Sequence, residues 1–61
     1  MDDALLAYDA GRVDAIAGHR DSLRARHPGT GTDYRRGFLD GRLEVFRMFA
    51  QVRRLLEEAA D

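Results

Sequence analysis

The chain has 61 residues, no cysteine and a net charge of −1. That length allows one domain with a small core, and the missing thiols exclude a disulfide framework and a thiolate metal site. No apolar run nears the roughly 20 residues of a membrane span, and Met1-Asp2-Asp3 lacks the basic start and apolar core of a signal peptide, so no membrane role and a cytoplasmic location are expected.

The first predicted element is a helix over about 3–26. It has two apolar faces. One carries Leu6, Val13, Ile16, Ala17 and Leu23, with Leu5 at its margin. The other repeats at steps of four and three through Ala4, Tyr8, Gly11, Ala15, Gly18, Ser22 and Ala25. Six of these seven are Ala, Gly or Ser, the pattern of a seam along which two helices approach closely. A break near Gly18 or Gly37 is the alternative, with "GHRDS" a weak point for a helix.

Residues 27–32 are predicted as a loop. In "HPGTG", Pro28 removes a backbone donor and disfavours helix at His27. Gly29 and Gly31 add backbone freedom, and Thr32 or Asp33 is positioned to cap the next helix. All ten basic residues are arginine, and lysine and asparagine are both absent, as codon usage in a GC-rich bacterium or its phage would produce. Their charge is segregated: residues 1–18 sum to −3, residues 19–36 to +3 and residues 37–61 to −1.

The second helix is expected over about 33–60. Tyr34, Phe38, Gly41, Val45, Met48, Val52, Leu55 and Ala59 form a heptad seam, widened by Phe46, Phe49 and Leu56. Arg42, close to that face, is expected to pair with a carboxylate or reach back to water. Folding the chain at residues 29–30 sets Ala25 against Tyr34, Ser22 against Phe38 and Ala15 against Val45. Gly18 then meets Gly41, and Gly11 lies near Met48 or Phe49. The expected fold is therefore all-α: an antiparallel helical hairpin, coiled-coil-like, with a helix-packing seam of Gly11, Ala15, Gly18, Phe38, Gly41, Val45, Met48 and Val52. Gly37 sits at the seam's edge.

Such a hairpin leaves Leu6, Val13, Ile16 and Leu23 in water, so a homodimeric four-helix bundle is expected. In a hairpin the loop makes one end, basic through Arg20, Arg24, Arg26, Arg35 and Arg36. The termini make the other, acidic through Asp2, Asp3, Asp9, Glu57, Glu58 and Asp61. An antiparallel dimer would set one kind of end beside the other.

Chemical motifs are sparse. His19 and His27 lack partners at a ligand spacing, Ser22 is the only serine and lacks a base, and "HPGTG" lacks a P-loop lysine. No catalytic residue, metal or cofactor is expected, and the chain is read as a non-enzyme. "AYDAGRVDAIAG", the proline-containing turn and "YRRGFLDG" carry a resemblance: Ala7, Tyr8, Gly11, Ala17, Gly18, Pro28, Tyr34, Gly37 and Phe38 are similar to the pattern of the ribosome modulation factor family. The resemblance covers about residues 7–41 and implies a very short two-helix protein and ribosome binding. Those proteins are strongly basic, whereas this chain is slightly acidic and adds the apolar extension "EVFRMFAQVRRLLEEAA". The expected function is thus a small protein-interaction module or regulator that docks on a protein partner as a homodimer. The alternative is a ribosome- or RNA-binding factor using Arg20, Arg24, Arg26, Arg35 and Arg36.

Overall fold

Asp2 starts the first helix, α1 (Asp3–Ile16): its carboxylate accepts from the Ala4 N–H at 3.0 Å, satisfying a donor that the first turn leaves free. The computed structural model describes residues 2–60. Asp61, assigned above to the acidic end, lies outside them, as does Met1. The helix stops at Ile16, ten residues short of the expected boundary at 26. Gly18 is the cause. It takes φ +75°, a conformation open to glycine and costly for other residues. The Gly18 N–H then donates to the Ala15 carbonyl at 3.1 Å and the His19 N–H to Asp14 at 2.8 Å. This is the Schellman closure of a helix end.

A short helix, α2 (Ser22–Ala25), follows. The Asp21 carboxylate caps it, accepting from the Leu23 and Arg24 N–H groups at 3.1 and 3.2 Å. In the next turn His27 Nδ1 accepts from the N–H groups of Gly29 and Thr30. The long helix, α3 (Gly31–Ala59), then starts two residues earlier than expected, and neither Thr32 nor Asp33 caps it. Thr30 holds the cap position without a side-chain bond, and the Gly31 N–H donates to His27 O at 2.8 Å. Gly31 is buried against Ala25: a Cβ there would lie 2.6 Å from the Ala25 carbonyl oxygen.

The architecture is all-helical, a long helix packed on a shorter one in a hairpin-like fold-back, with no strand among the described residues. The direction of packing corrects the expectation. Tyr8 meets Gly37 and Arg12 meets Gly41, four residues further along each helix. The Tyr8 hydroxyl donates to Asp40 and the Arg12 guanidinium to Glu44, again four residues on in both. In an antiparallel pair one number would rise as the other falls. The α1 and α3 segments therefore run the same way, and residues 17–30 carry the chain back between them. Early termination of α1 makes this return possible. It also cancels two expected pairings: Gly11 meets Tyr34 and Phe38 instead of Met48 or Phe49, and Gly18 has nothing within 4 Å of a built Cβ and so does not meet Gly41.

Glycine sets how close the two helices come. A Cβ on Gly11 would lie 2.8 Å from the Phe38 nitrogen, and one on Gly37 2.7 Å from the Tyr8 carbonyl carbon. One on Gly41 would lie 2.5 Å from the Arg12 carbonyl oxygen and 2.8 Å from the Ala15 Cβ. All are below the separation that real side chains tolerate. Backbone therefore packs on backbone, and Gly37 belongs at the centre of the contact rather than its edge.

Candidate interaction surfaces

Tyr34 is the largest fully buried side chain among the described residues, 1% exposed. Its hydroxyl donates to Asp14 Oδ2 at 2.6 Å and accepts from the Asp21 N–H at 2.9 Å. One phenol thereby ties α3 to α1 and to the start of α2. Burial, and then the Asp14 hydrogen bond, push its ionisation above the ordinary 10.0. Around it Ala15 and Ala25 complete the buried apolar set. On the outer side of the joint, the Asp40 hydrogen bond raises the Tyr8 phenol in the same direction. The Arg12–Glu44 pair spans 3.0 Å with both side chains more than a third exposed, so its contribution to stability is small.

The expected seam divides at Val45. Gly11, Ala15 and Gly41 are buried in the joint, and Phe38 and Val45 are half-buried beside it. Gly18 has nothing within 4 Å of a built Cβ and is a helix cap, not a packing residue. Met48 and Val52 are 54% and 47% exposed, because α1 has no residues left to cover them. From Phe46 to Ala60 every residue is exposed, including Phe46, Phe49, Leu55 and Leu56 at 59%, 64%, 58% and 65%. Exposed apolar surface of this extent is the kind that marks interaction sites on proteins.

Two hollows flank the joint. One, of about 470 Å³, lies between α1 and α2 and is lined by Leu6, Ala7, Leu23 and Tyr34 with Asp3, Arg24, His27 and Thr30. Leu6 and Leu23 are half-exposed and exposed there. The other, of about 190 Å³, is lined by Arg20, Tyr34, Arg35, Phe38, Leu39 and Arg42. Arg20 lies over the Phe38 ring, 6.0 Å from its centroid. Arg42 lies over the Phe46 ring at the same distance and is exposed to water, the second of its two expected arrangements; it pairs with no carboxylate among the described residues.

The five arginines expected to act together are thus divided. Arg20 and Arg35 share the smaller hollow, which also takes in Arg42, a residue absent from the expected set. Arg35 is held by Thr32 and by the Ala25 carbonyl. Arg24 faces the larger hollow and Asp21 at 3.7 Å. Arg26 bonds the Ser22 carbonyl at 3.3 Å, and Arg36 is exposed. Arg42 could have been found by its spacing, seven residues after Arg35 on the same helix face. The two chain ends are also not together. Asp3 lies at the larger hollow beside Arg24 and His27, while Glu57 and Glu58 are at the far end of α3. The expected acidic pole of both termini is therefore split.

Among the described residues no helix is long and apolar enough to cross a membrane. Of the residues in the expected ribosome modulation factor-like pattern, Tyr8, Gly11, Tyr34 and Gly37 lie at the α1–α3 contact, whereas Gly18 caps α1. Compared with known proteins, the chain matches no family model, no curated protein and no solved structure.

Proposed function

We propose that this chain is a non-enzymatic interaction module that works as a homodimer and docks on a protein partner. One observation carries the reading: the second half of α3 presents two phenylalanines, two leucines, a methionine and a valine to solvent with no covering element in its own chain. Each such side chain gains about 1.5–3 kcal/mol on burial, so covering several of them supports stable association. Phenylalanine and methionine are also enriched in the cores of protein–protein interfaces. Sedimentation at micromolar concentration tests the assembly; about twice the 6.9 kDa chain mass is expected, and a well-folded monomer would refute it. A photo-crosslinking residue at Phe46 in the native cell tests the docking. The expected result is one protein partner whose purified complex is lost on Phe49→Asp.

The alternative reading, a ribosome- or RNA-binding factor, is favoured by the smaller hollow. Arg20, Arg35 and Arg42 gather there beside Phe38, and none of them pairs with a carboxylate among the described residues. Guanidinium groups next to a half-buried ring suit phosphate contact and base stacking. Co-sedimentation with ribosomes decides between the two. Stoichiometric binding that Arg35→Glu/Arg36→Glu abolishes would establish the alternative. No binding at physiological salt is the outcome expected of the interaction module.

A further inference from the structure

The open half of α3 and the larger hollow are both apolar, and they lie at opposite ends of a molecule 52 Å long. We infer that they cover one another in an antiparallel homodimer, with residues 52–59 of a second copy seated against Leu6 and Leu23 in the hollow between α1 and α2. This inference rests on the homodimer reading above and specifies its geometry.

Three observations support it. The first is length. Hydrogen bonds with α1 reach Glu44, and from Phe46 to Ala60 every residue is exposed. The clamped stretch of α3 and the open stretch are therefore each close to half of its 29 residues, or about 21 Å at 1.5 Å per residue. Two such helices laid antiparallel match the open half of each to the clamped half of the other. The contact is then self-complementary and closed, as a two-fold dimer requires. A parallel pairing would leave both hollows empty. The second is surface chemistry. Met48, Val52, Leu55 and Ala59 continue the heptad line of Gly41 and Val45 beyond the end of α1. Leu6 and Leu23, which they would meet, are 51% and 77% exposed in the single chain.

The third is charge. Residues 19–36 sum to +3, and the hollow presents Arg24 and His27 from this region. Glu57 and Glu58 are the last charged residues described on α3. The antiparallel arrangement brings these glutamates to Arg24 and His27. Exposed pairs of this kind add little affinity, but they fix orientation.

The absence of cysteine gives a direct test. Leu23→Cys and Leu56→Cys are made separately at exposed positions, mixed, and treated with a short bismaleimide. Cross-linked dimer is expected from the mixture and not from either variant alone. Self-linking of Leu56→Cys would show a parallel dimer and overturn the inference. No mixed cross-link from a chain that still sediments as a dimer would overturn the placement in the hollow while leaving the homodimer intact. A monomer in sedimentation would remove both. As a second measurement that does not depend on cysteine, Glu57→Arg/Glu58→Arg should raise the dimer dissociation constant about three- to tenfold. Adding Arg24→Glu should recover part of the loss; no recovery would count against the pairing.

Discussion

Alanine at Gly37 tests the close joint most directly. In an isolated helix the change would stabilise by about 1 kcal/mol, because alanine loses less backbone freedom than glycine. Sequence periodicity alone makes alanine at the seam glycines a mild or even stabilising change. In the folded chain the new methyl would overlap the Tyr8 carbonyl oxygen and lie 2.7 Å from its carbonyl carbon, and both are backbone atoms that no rotamer change can move. The oxygen is the nearer of the two, so the helices must part by more than the roughly 0.7–1 Å that would bring the carbon to ordinary van der Waals contact. Parting them also lengthens the Tyr8–Asp40 and Arg12–Glu44 hydrogen bonds, which share the register of the contact. Overpacking costs about 1–3 kcal/mol; against backbone that cannot move aside the cost falls at about 2–3 kcal/mol, and subtracting the propensity gain of about 1 kcal/mol leaves an expected net loss of about 1–2 kcal/mol. For a domain of this size that lowers the melting temperature by about 4–16 °C. Thermal melts followed by far-ultraviolet circular dichroism, at one fixed protein concentration, measure it, with exposed Gln51→Ala as control. A Gly37→Ala chain that melts at or above the wild type would refute the backbone-on-backbone joint.

At Gly18 the strain comes from φ and not from volume, so Gly18→Ala and Gly18→Leu should destabilise alike, by about 1–2 kcal/mol; a leucine variant much worse than the alanine one in urea unfolding would restore Gly18 to a packed seam. Tyr34→Phe removes the bonds to Asp14 and the Asp21 N–H and should cost about 1–3 kcal/mol in the same assay. Because the folded Tyr34 ionises above its unfolded value of 10.0, its contribution is complete below pH 10 and lost as pH rises beyond it; wild type should show an alkaline fall in melting temperature that Tyr34→Phe flattens, and equal slopes would count against it. Arg12→Ala should cost no more than about 1 kcal/mol, since the pair with Glu44 is partly exposed; a larger loss by chemical denaturation would show that the pair is better shielded than its exposure indicates.

Helical class and the reach of α3 were legible because the heptad of residues 34–59 is unbroken and a single proline marks the turn. The role of small residues in a close contact was legible too, from Gly11, Ala15 and Gly41. Direction was not. Gly18 fits a four-three seam and a helix cap equally well in sequence, and only its φ of +75° separates them. Once Gly18 is read as part of a continuous helix, the antiparallel register follows and the pairings of Gly11 and Gly18 shift with it. Tyr34 shows a second limit. Its spacing marks it as a core residue, but the Asp14 and Asp21 partners that its hydroxyl finds lie on two other elements. No local pattern reports such a meeting. The arginine cluster was misplaced for the same reason, since the return of residues 17–30 brings Arg20 to Arg35 and Arg42.

A helix held along only its first half is a cantilever. Up to Val45, opening an α3 backbone hydrogen bond means breaking the joint with α1; beyond it, a single chain opposes fraying with little more than helix propensity. Amide hydrogen exchange should therefore fall into two regimes along one continuous helix. The boundary sits near Val45 when the free end is bare and disappears when a second chain lies on it. The exchange rates of residues 46–60 act as a built-in gauge of occupancy, readable without a label.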